Sequence, residues 1–488
     1  MYREYRLLVL VLYDRLFPGE GVITVKKITK IAITALITIL TTVSFIGCSS
    51  NKSAKNDAPK TTASGIKIMS TEDLKDKLGK SDWVVVDTRE NDAFNGWKLD
   101  GVKRSGHIKG ATDFSAAWLK VTDKDKTTRL DADLKTKGIT IEKNIVLYDA
   151  NGKDSNEVAN YLAQKGFKNL YVYDVKEWAN DESLPMTAYA NYKMLVSASW
   201  VKDLVDGKNP ETYTGKEFKV FEASWGEEKD SPDYLKVGHI KGAVHINTDE
   251  VEEGPLWNRL SDAKLQKFAE KNGITTDTTV VLYGTDSMPS FRVAAILKYM
   301  GVKDVRVLNG GLAKWSTAGY ELEKTSNKKS PVASFGATVP VNKGYIVDLP
   351  QAKEIIADKA GSKLVDIRTW DEHIGKTSGY DYIKPMGRPA GSVWGHAGKD
   401  NSSLSDYTNI DSTMRNSDEI LVMWKEWGIT PEQRLSFFCG TGWRAAQALT
   451  YADVMGLKNI SLYDGGWNEW SGNTGNPANP IEKGEPTK

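Results

Sequence analysis

GHIKGA occupies residues 106–111 and returns at residues 238–243, and a looser third copy, GRPAGS, lies at 387–392. Downstream of each copy comes a short apolar run of the buried-strand type: Ile145-Val146-Leu147-Tyr148, Val280-Val281-Leu282-Tyr283 and Leu435-Ser436-Phe437-Phe438. Each run passes through a short loop into a helical segment that stops at Gly166, Gly301 or Gly456, as helices stop at glycine. The offset from Tyr148 to Tyr283 equals that from Gly166 to Gly301, and Tyr283 to Phe438 matches Gly301 to Gly456. These segments therefore align without gaps. Upstream, each unit opens on a strand carrying an acid, at Asp87, Glu222 and Asp366; downstream, each closes on a tryptophan, in YDVKEW (173–178), LNGGLAKW (308–315) and YDGGWNEW (463–470). Strands alternating with helices predict an α/β unit with a mostly parallel sheet, repeated three times.

Composition agrees with three ordinary domains. The chain has 488 residues, 40% hydrophobic and 26% charged, and its 65 Lys plus Arg against 64 Asp plus Glu leave a net charge of +1. No global field draws in nucleic acid, and no nucleic-acid partner is expected. The units are expected at 66–187, 190–325 and 340–475, with linkers near Leu184-Pro185 and across 324–340, where Ser, Asn, Lys and Pro cluster.

The order VDxR, GHIxGA, apolar strand, cysteine loop, helix and DGGxxxW resembles the rhodanese sulfurtransferase family. The resemblance implies three tandem rhodanese-like domains, each a five-stranded parallel sheet flanked by helices, with the reactive loop between a central strand and its following helix. Rhodanese chemistry needs a thiolate to attack a sulfane sulfur and N–H groups to hold the resulting anion. The third copy has both ingredients in Cys439-Gly440-Thr441-Gly442-Trp443-Arg444. Its glycines let the backbone curl into an anion nest, and the helix that follows presents its positive end.

Cys439 is thus the expected catalytic nucleophile, with Gly440, Thr441, Gly442, Trp443, Arg444 and Arg388 around the substrate. Arg444 either faces an anionic substrate or ties the loop to its neighbours. Arg388 stands where the other copies carry the histidine of GHIKGA, and either meets the substrate anion or forms a structural ion pair. The aligned residues in the first two copies are Asp149 and Gly284, with Asp154 and Pro289 opposite Arg444. Carboxylates at 149 and 154 would repel an anion, so copies one and two are expected to be silent scaffold. Two rival readings of Cys439 are a phosphatase and an inert buried thiol. Against the first, four residues separate Cys439 from Arg444, where the related phosphatase loop has five. Asp366 and Arg368 are expected to form a structural pair. His107, His239 and His245 are expected as structural hydrogen-bonders. His373 and His396 show no ligand spacing, so no metal and no cofactor are expected.

The second cysteine, Cys48, ends the stretch VKKITKIAITALITILTTVSFIGC (25–48), which has the basic and apolar regions of a secretory signal. Its end resembles a bacterial lipobox, so Cys48 is expected to be lipidated, with residues 49–65 as a tether and the chain held at a membrane on its extracytoplasmic face. A plain transmembrane anchor is the competing reading. Residues 1–24 fit no signal grammar. A purine-rich codon run for Gly19-Glu20-Gly21 would suit translation starting at Val25.

The expectation for the whole is a lipid-anchored thiosulfate sulfurtransferase that passes sulfur to cyanide or a thiol through a Cys439 persulfide. 3-Mercaptopyruvate is the alternative donor, and a surface module with a redox-sensing cysteine is the alternative of another class.

Overall fold

The structure, a computed structural model, describes residues 61–486 apart from Ala63 and Lys216. The signal-like stretch and Cys48 lie outside the described residues. Three five-stranded parallel sheets follow one another along the chain. The first is ordered Lys67–Ile68, Leu170–Asp174, Asn144–Asp149, Trp83–Asp87, Thr112–Asp113. The third repeats that order as Ile346–Val347, Ile460–Tyr463, Arg434–Phe438, Ser362–Asp366, Val393–Trp394, and the second does so with Leu195–Val196, Asp304–Leu308, Thr279–Tyr283, Phe218–Ser224, Val244–Asn247. In each sheet the apolar run found in the sequence is the middle strand, buried on both faces, which is why it reads as continuously apolar.

The helices that leave the middle strands differ in their surroundings. Asp154–Gln164 buries one face on its own sheet. By contrast, Met288–Met300 and Trp443–Met455 are buried nearly all round, polar side chains such as Arg292, Arg444 and Gln447 included. They pack on each other, with Phe291 set edge-on to Tyr451 at 5.4 Å between ring centroids. One apolar core consequently runs through the second and third repeats. Both helices end where Gly301 (φ +113°) and Gly456 (φ +96°) take the left-handed conformation.

The motif residues hold each unit together. Arg89 clasps Asp87 and reaches the carbonyl of Gly106 at 2.9 Å; Arg368 clasps Asp366 and reaches the carbonyl of Gly387 at 2.9 Å. The acid strand is thereby tied to the start of the GHIKGA segment. Trp178, Trp315 and Trp470 each donate the indole N–H to a backbone carbonyl of the segment leaving their repeat, at Pro185, Glu321 and Pro480. The recurring tryptophans therefore pack and tether. His107 stacks on Phe94, and His239 stacks on Tyr234, each with a ring nitrogen on a backbone carbonyl.

Candidate active site

Cys439 follows the middle strand Arg434–Phe438 and is 1% exposed. The chain then turns through Gly440 and Gly442 into the helix Trp443–Met455. Gly442 has φ +103°, and its N–H donates to Cys439 Sγ at 3.2 Å. A side chain there would be strained and would meet Arg292 Nη1 2.9 Å away. A Cβ on Gly440 would run into the Tyr380 ring. The loop carbonyls are turned away from the sulfur: Trp467 N–H holds Cys439 O at 2.8 Å, and Asn468 N–H holds Gly440 O at 3.1 Å. The DGGxxxW motif thus fixes the loop through its carbonyls, while the Gly442 N–H at the start of the helix meets the sulfur.

The first repeat shows what that N–H ring accepts. Asp149 stands in the place of Cys439, and its carboxylate accepts from Gly152 N–H at 3.0 Å and from Ser155 N–H at 2.9 Å. Gly152 is the aligned partner of Gly442. A negative side chain therefore occupies the ring in the first repeat, whereas Cys439 offers a single sulfur to it in the third.

Arg444 is buried and engaged. Its Nη1 and Nη2 donate to Glu372 at 2.9 Å each, and Nη2 donates to Tyr380 Oη at 2.6 Å. These contacts are those of a brace between the loop and its neighbours. Burial alone would raise the Glu372 carboxyl, but the guanidinium outweighs burial and holds it below the usual carboxylate range. Gly440 N–H also donates to Tyr380 Oη at 3.2 Å, so Glu372, Arg444, Tyr380 and the loop form one connected network. Burial drives the Tyr380 phenol well above its ordinary value, and the nearby Cys439 and Glu372 act in the same direction. Tyr382, 5.5 Å from Tyr380 between centroids, reaches Thr441 Oγ1 at 3.4 Å, and burial pushes its phenol up to about 12.

Arg388, expected near the substrate, is held elsewhere. Its guanidinium lies 3.2 Å from Glu482 and donates to the carbonyls of Gly484 at 2.7 Å and His373 at 3.3 Å. These contacts tie the third GHIKGA-like segment to the C-terminal strand Ile481–Glu482. His373 Nδ1 sits 2.8 Å from Asp366. Among the described residues no cluster of His, Cys, Asp or Glu could hold a metal ion.

Four side chains at the site had escaped the sequence reading. Glu372 and Tyr380 come from the segment between the acid strand and GRPAGS, and Glu252 and Arg292 come from the second repeat. Trp443 Nε1 donates to Glu252 Oε1 at 2.7 Å, and Arg292 Nε donates to Glu252 Oε2 at 2.9 Å. The local signal for Glu372 is the capping box it forms with Thr369, the two exchanging side-chain-to-backbone hydrogen bonds at the helix start.

The rhodanese-like domain family matches residues 70–181, 191–318 and 348–473. The chain belongs to the rhodanese-like family. It is similar to the thiosulfate sulfurtransferase YnjE of Escherichia coli (strain K12), at 41% identity over 413 residues covering 84% of this chain and 91% of YnjE. Among solved structures it resembles wild-type EanB, with a TM-score of 0.81 and 36% identity over 86% of this chain and 98% of that one. The anaerobic ergothioneine biosynthesis enzyme of Chlorobium limicola, solved with its natural substrate trimethyl histidine, gives a TM-score of 0.81 and 37% identity, covering 86% of this chain and 100% of that one. This rhodanese-family chain is an enzyme of the sulfurtransferase class, built from three copies of one domain.

Proposed function

We propose that Cys439 carries sulfur as a persulfide, in two half-reactions. The thiolate attacks the outer sulfur of thiosulfate, the S–S bond of the donor breaks, and sulfite leaves with the bonding pair. The persulfide anion then gives its outer sulfur to cyanide or a thiol, and the thiolate returns. The observation that carries this reading is the Gly442 N–H on Cys439 Sγ at the head of a buried helix, in a ring that the first repeat fills with a carboxylate. Such a ring stabilises the thiolate before transfer and the persulfide after it. Glu372, Arg444 and Tyr380 brace the loop so that the ring holds its shape.

A second reading of the acceptor is favoured by the charges. Arg444 and Arg388, which would have held the anionic end of thiosulfate, are committed to Glu372 and Glu482. Tyr380, Tyr382 and Trp443 gather around the loop instead, surroundings suited to a ring-bearing, zwitterionic acceptor such as the trimethyl histidine of the EanB-like relatives. The test is to load the purified protein with thiosulfate or polysulfide, confirm one added sulfur on Cys439 by mass, and offer cyanide and trimethyl histidine separately. Thiocyanate formation alone supports the first acceptor, and a thione product supports the second. A Cys439 that never gains sulfur defeats both.

We further propose that Cys48 carries lipid and tethers the enzyme outside the cytoplasm, on the strength of the sequence pattern alone. Unmodified Cys48 in the native protein would refute it.

A further inference from the structure

The second repeat has no nucleophile, yet it grips the Cys439 loop from two sides. Its strands Glu252–Glu253 and Asn258–Arg259 form an antiparallel hairpin. From this hairpin Glu252, 2% exposed, accepts the indole N–H of Trp443 at 2.7 Å. Arg292, one turn into the helix Met288–Met300, donates to the same carboxylate at 2.9 Å and places Nη1 2.7 Å from Asp464 Oδ1 as an ion pair. That nitrogen also lies against Gly442, the residue whose N–H meets the sulfur. On the far side, Arg259 donates from its backbone and its guanidinium to Asp464 Oδ2 at 2.9 Å each, and Asn468 Nδ2 donates to Pro255 O and Leu256 O. Asp464 opens the DGGW segment whose N–H groups hold the loop carbonyls.

Resting on the Cys439 reading above, we propose that Glu252 and Arg292 are positioning residues contributed by the silent second repeat: Glu252 aims the Trp443 indole across the site, and Arg292 backs the Gly442 turn. Four charged side chains, Glu252, Arg292, Arg259 and Asp464, are desolvated to make this grip, and apolar packing of the same volume would serve stability as well or better. Their use is geometric. The cluster also leaves a titration signature. Burial, with repulsion from Asp464, pushes the Glu252 carboxyl up to about 7 against the pull of Arg292 and Trp443. The charged and titratable groups facing it are Arg292, Asp464 and Tyr382.

The test uses the full chain and three variants, Glu252→Gln, Trp443→Phe and the double. Thermal melting sets the folded fraction, and sulfur loading on Cys439 is read by mass. Expected is a kcat loss of about tenfold in Glu252→Gln, the effect of one charge-assisted hydrogen bond, with donor KM little changed and the inflection near neutral pH gone. Trp443→Phe should reproduce that loss, and the double variant should add little to it, because both remove the same contact. Glu252→Gln turning over like the wild type with the same pH profile would overturn the proposal, as would fully additive losses in the double. Arg292→Lys should lose rate while melting as a folded protein; unchanged kcat in it would overturn the part assigned to Arg292. A wild-type chain that loads no sulfur overturns the Cys439 reading and this inference with it, whereas a wild type that loads sulfur beside unaffected variants defeats this inference alone.

Discussion

The loops after the middle strands of the first and third repeats have nearly the same backbone task and opposite chemistry. In the first, Asp149 folds its carboxylate back onto Gly152 and Ser155 N–H, so the helix end caps itself and the ring is filled. In the third, Cys439 accepts from Gly442 N–H, and no side-chain carboxylate occupies the helix end. The residue that meets the helix end thus differs in kind between the two loops, a carboxylate at 149 and a thiol at 439. The expectation that the first repeat is silent gains a second ground. A carboxylate there repels a substrate anion, and it has also taken the donors that such an anion would use.

Substitution at Cys439 should have the largest effect, with Asp149 as its counterpart in the first repeat. Cys439→Ser keeps the volume and removes the group able to form a persulfide, so sulfur transfer should fall to about one per cent or less. Larger residual turnover in a thiocyanate assay would remove Cys439 from the mechanism. Asp149→Cys should not create activity of comparable size, because the first repeat has Asp154 where Arg444 braces the third, and Ala150 where Gly440 admits the Tyr380 ring. An active Asp149→Cys chain would show that the ring alone suffices.

Next in size is the brace. Arg444→Ala leaves Glu372 buried without its cation, and a buried pair broken from one side costs about 3 to 5 kcal/mol. The unfolding free energy should drop by that order, and kcat should fall more than donor KM rises, since the loop loosens and no donor contact is lost. A selective rise in KM with unchanged stability would place the guanidinium on the substrate after all. Smaller again, Asp149→Ala removes the acceptor for two helix-end donors in the first repeat. The expected cost is about 2 kcal/mol, the upper end for a lost cap, with hydrogen exchange rising in Asp154–Gln164 and sulfur transfer unchanged.

How far this was legible in the chain depends on how local each feature is. The three sheets could be read because the middle strands are contiguous apolar runs and the glycine stops fall at matching offsets. The Cys439 loop could be read because its nucleophile, glycines and helix start are neighbours in sequence. Glu372, Tyr380, Glu252 and Arg292 could not, because they meet the loop only through packing between distant segments, and two of them come from another repeat. Arg388 shows the opposite difficulty. A guanidinium at a motif position invites a substrate role, but its partners, Glu482 and the Gly484 carbonyl, sit almost a hundred residues on, where no local pattern points to them.

The smallest predicted effect lies in the second repeat, where the motif acid changes its partner. Arg89 and Arg368 hold Asp87 and Asp366, but Ser224 occupies the corresponding place beside Glu222. His245 takes over: Nδ1 is 2.7 Å from Glu222 Oε2 and Nε2 is 2.8 Å from the Gly226 carbonyl. A carbonyl can only accept, so Nε2 carries a proton, and the carboxylate favours a second one on Nδ1. Burial opposes that charge, yet Glu222, the Gly226 carbonyl and Glu228 outweigh it and raise the imidazole above its ordinary value. A raised folded value means stability that is complete below the unfolded histidine value of about 6.5 and lost as pH climbs through the folded one. Asp92 and Glu252, each pushed up to about 7 by burial, lose their contribution over the same direction of pH, and do so equally in the wild type and in a His245 variant. The slope of stability against pH on the alkaline side of neutral should therefore flatten in His245→Gln, by no more than about 1.5 kcal/mol, the worth of a single hydrogen bond. Urea unfolding of both proteins across that range measures it, and parallel slopes would mean that the second repeat keeps its motif acid without a titratable partner.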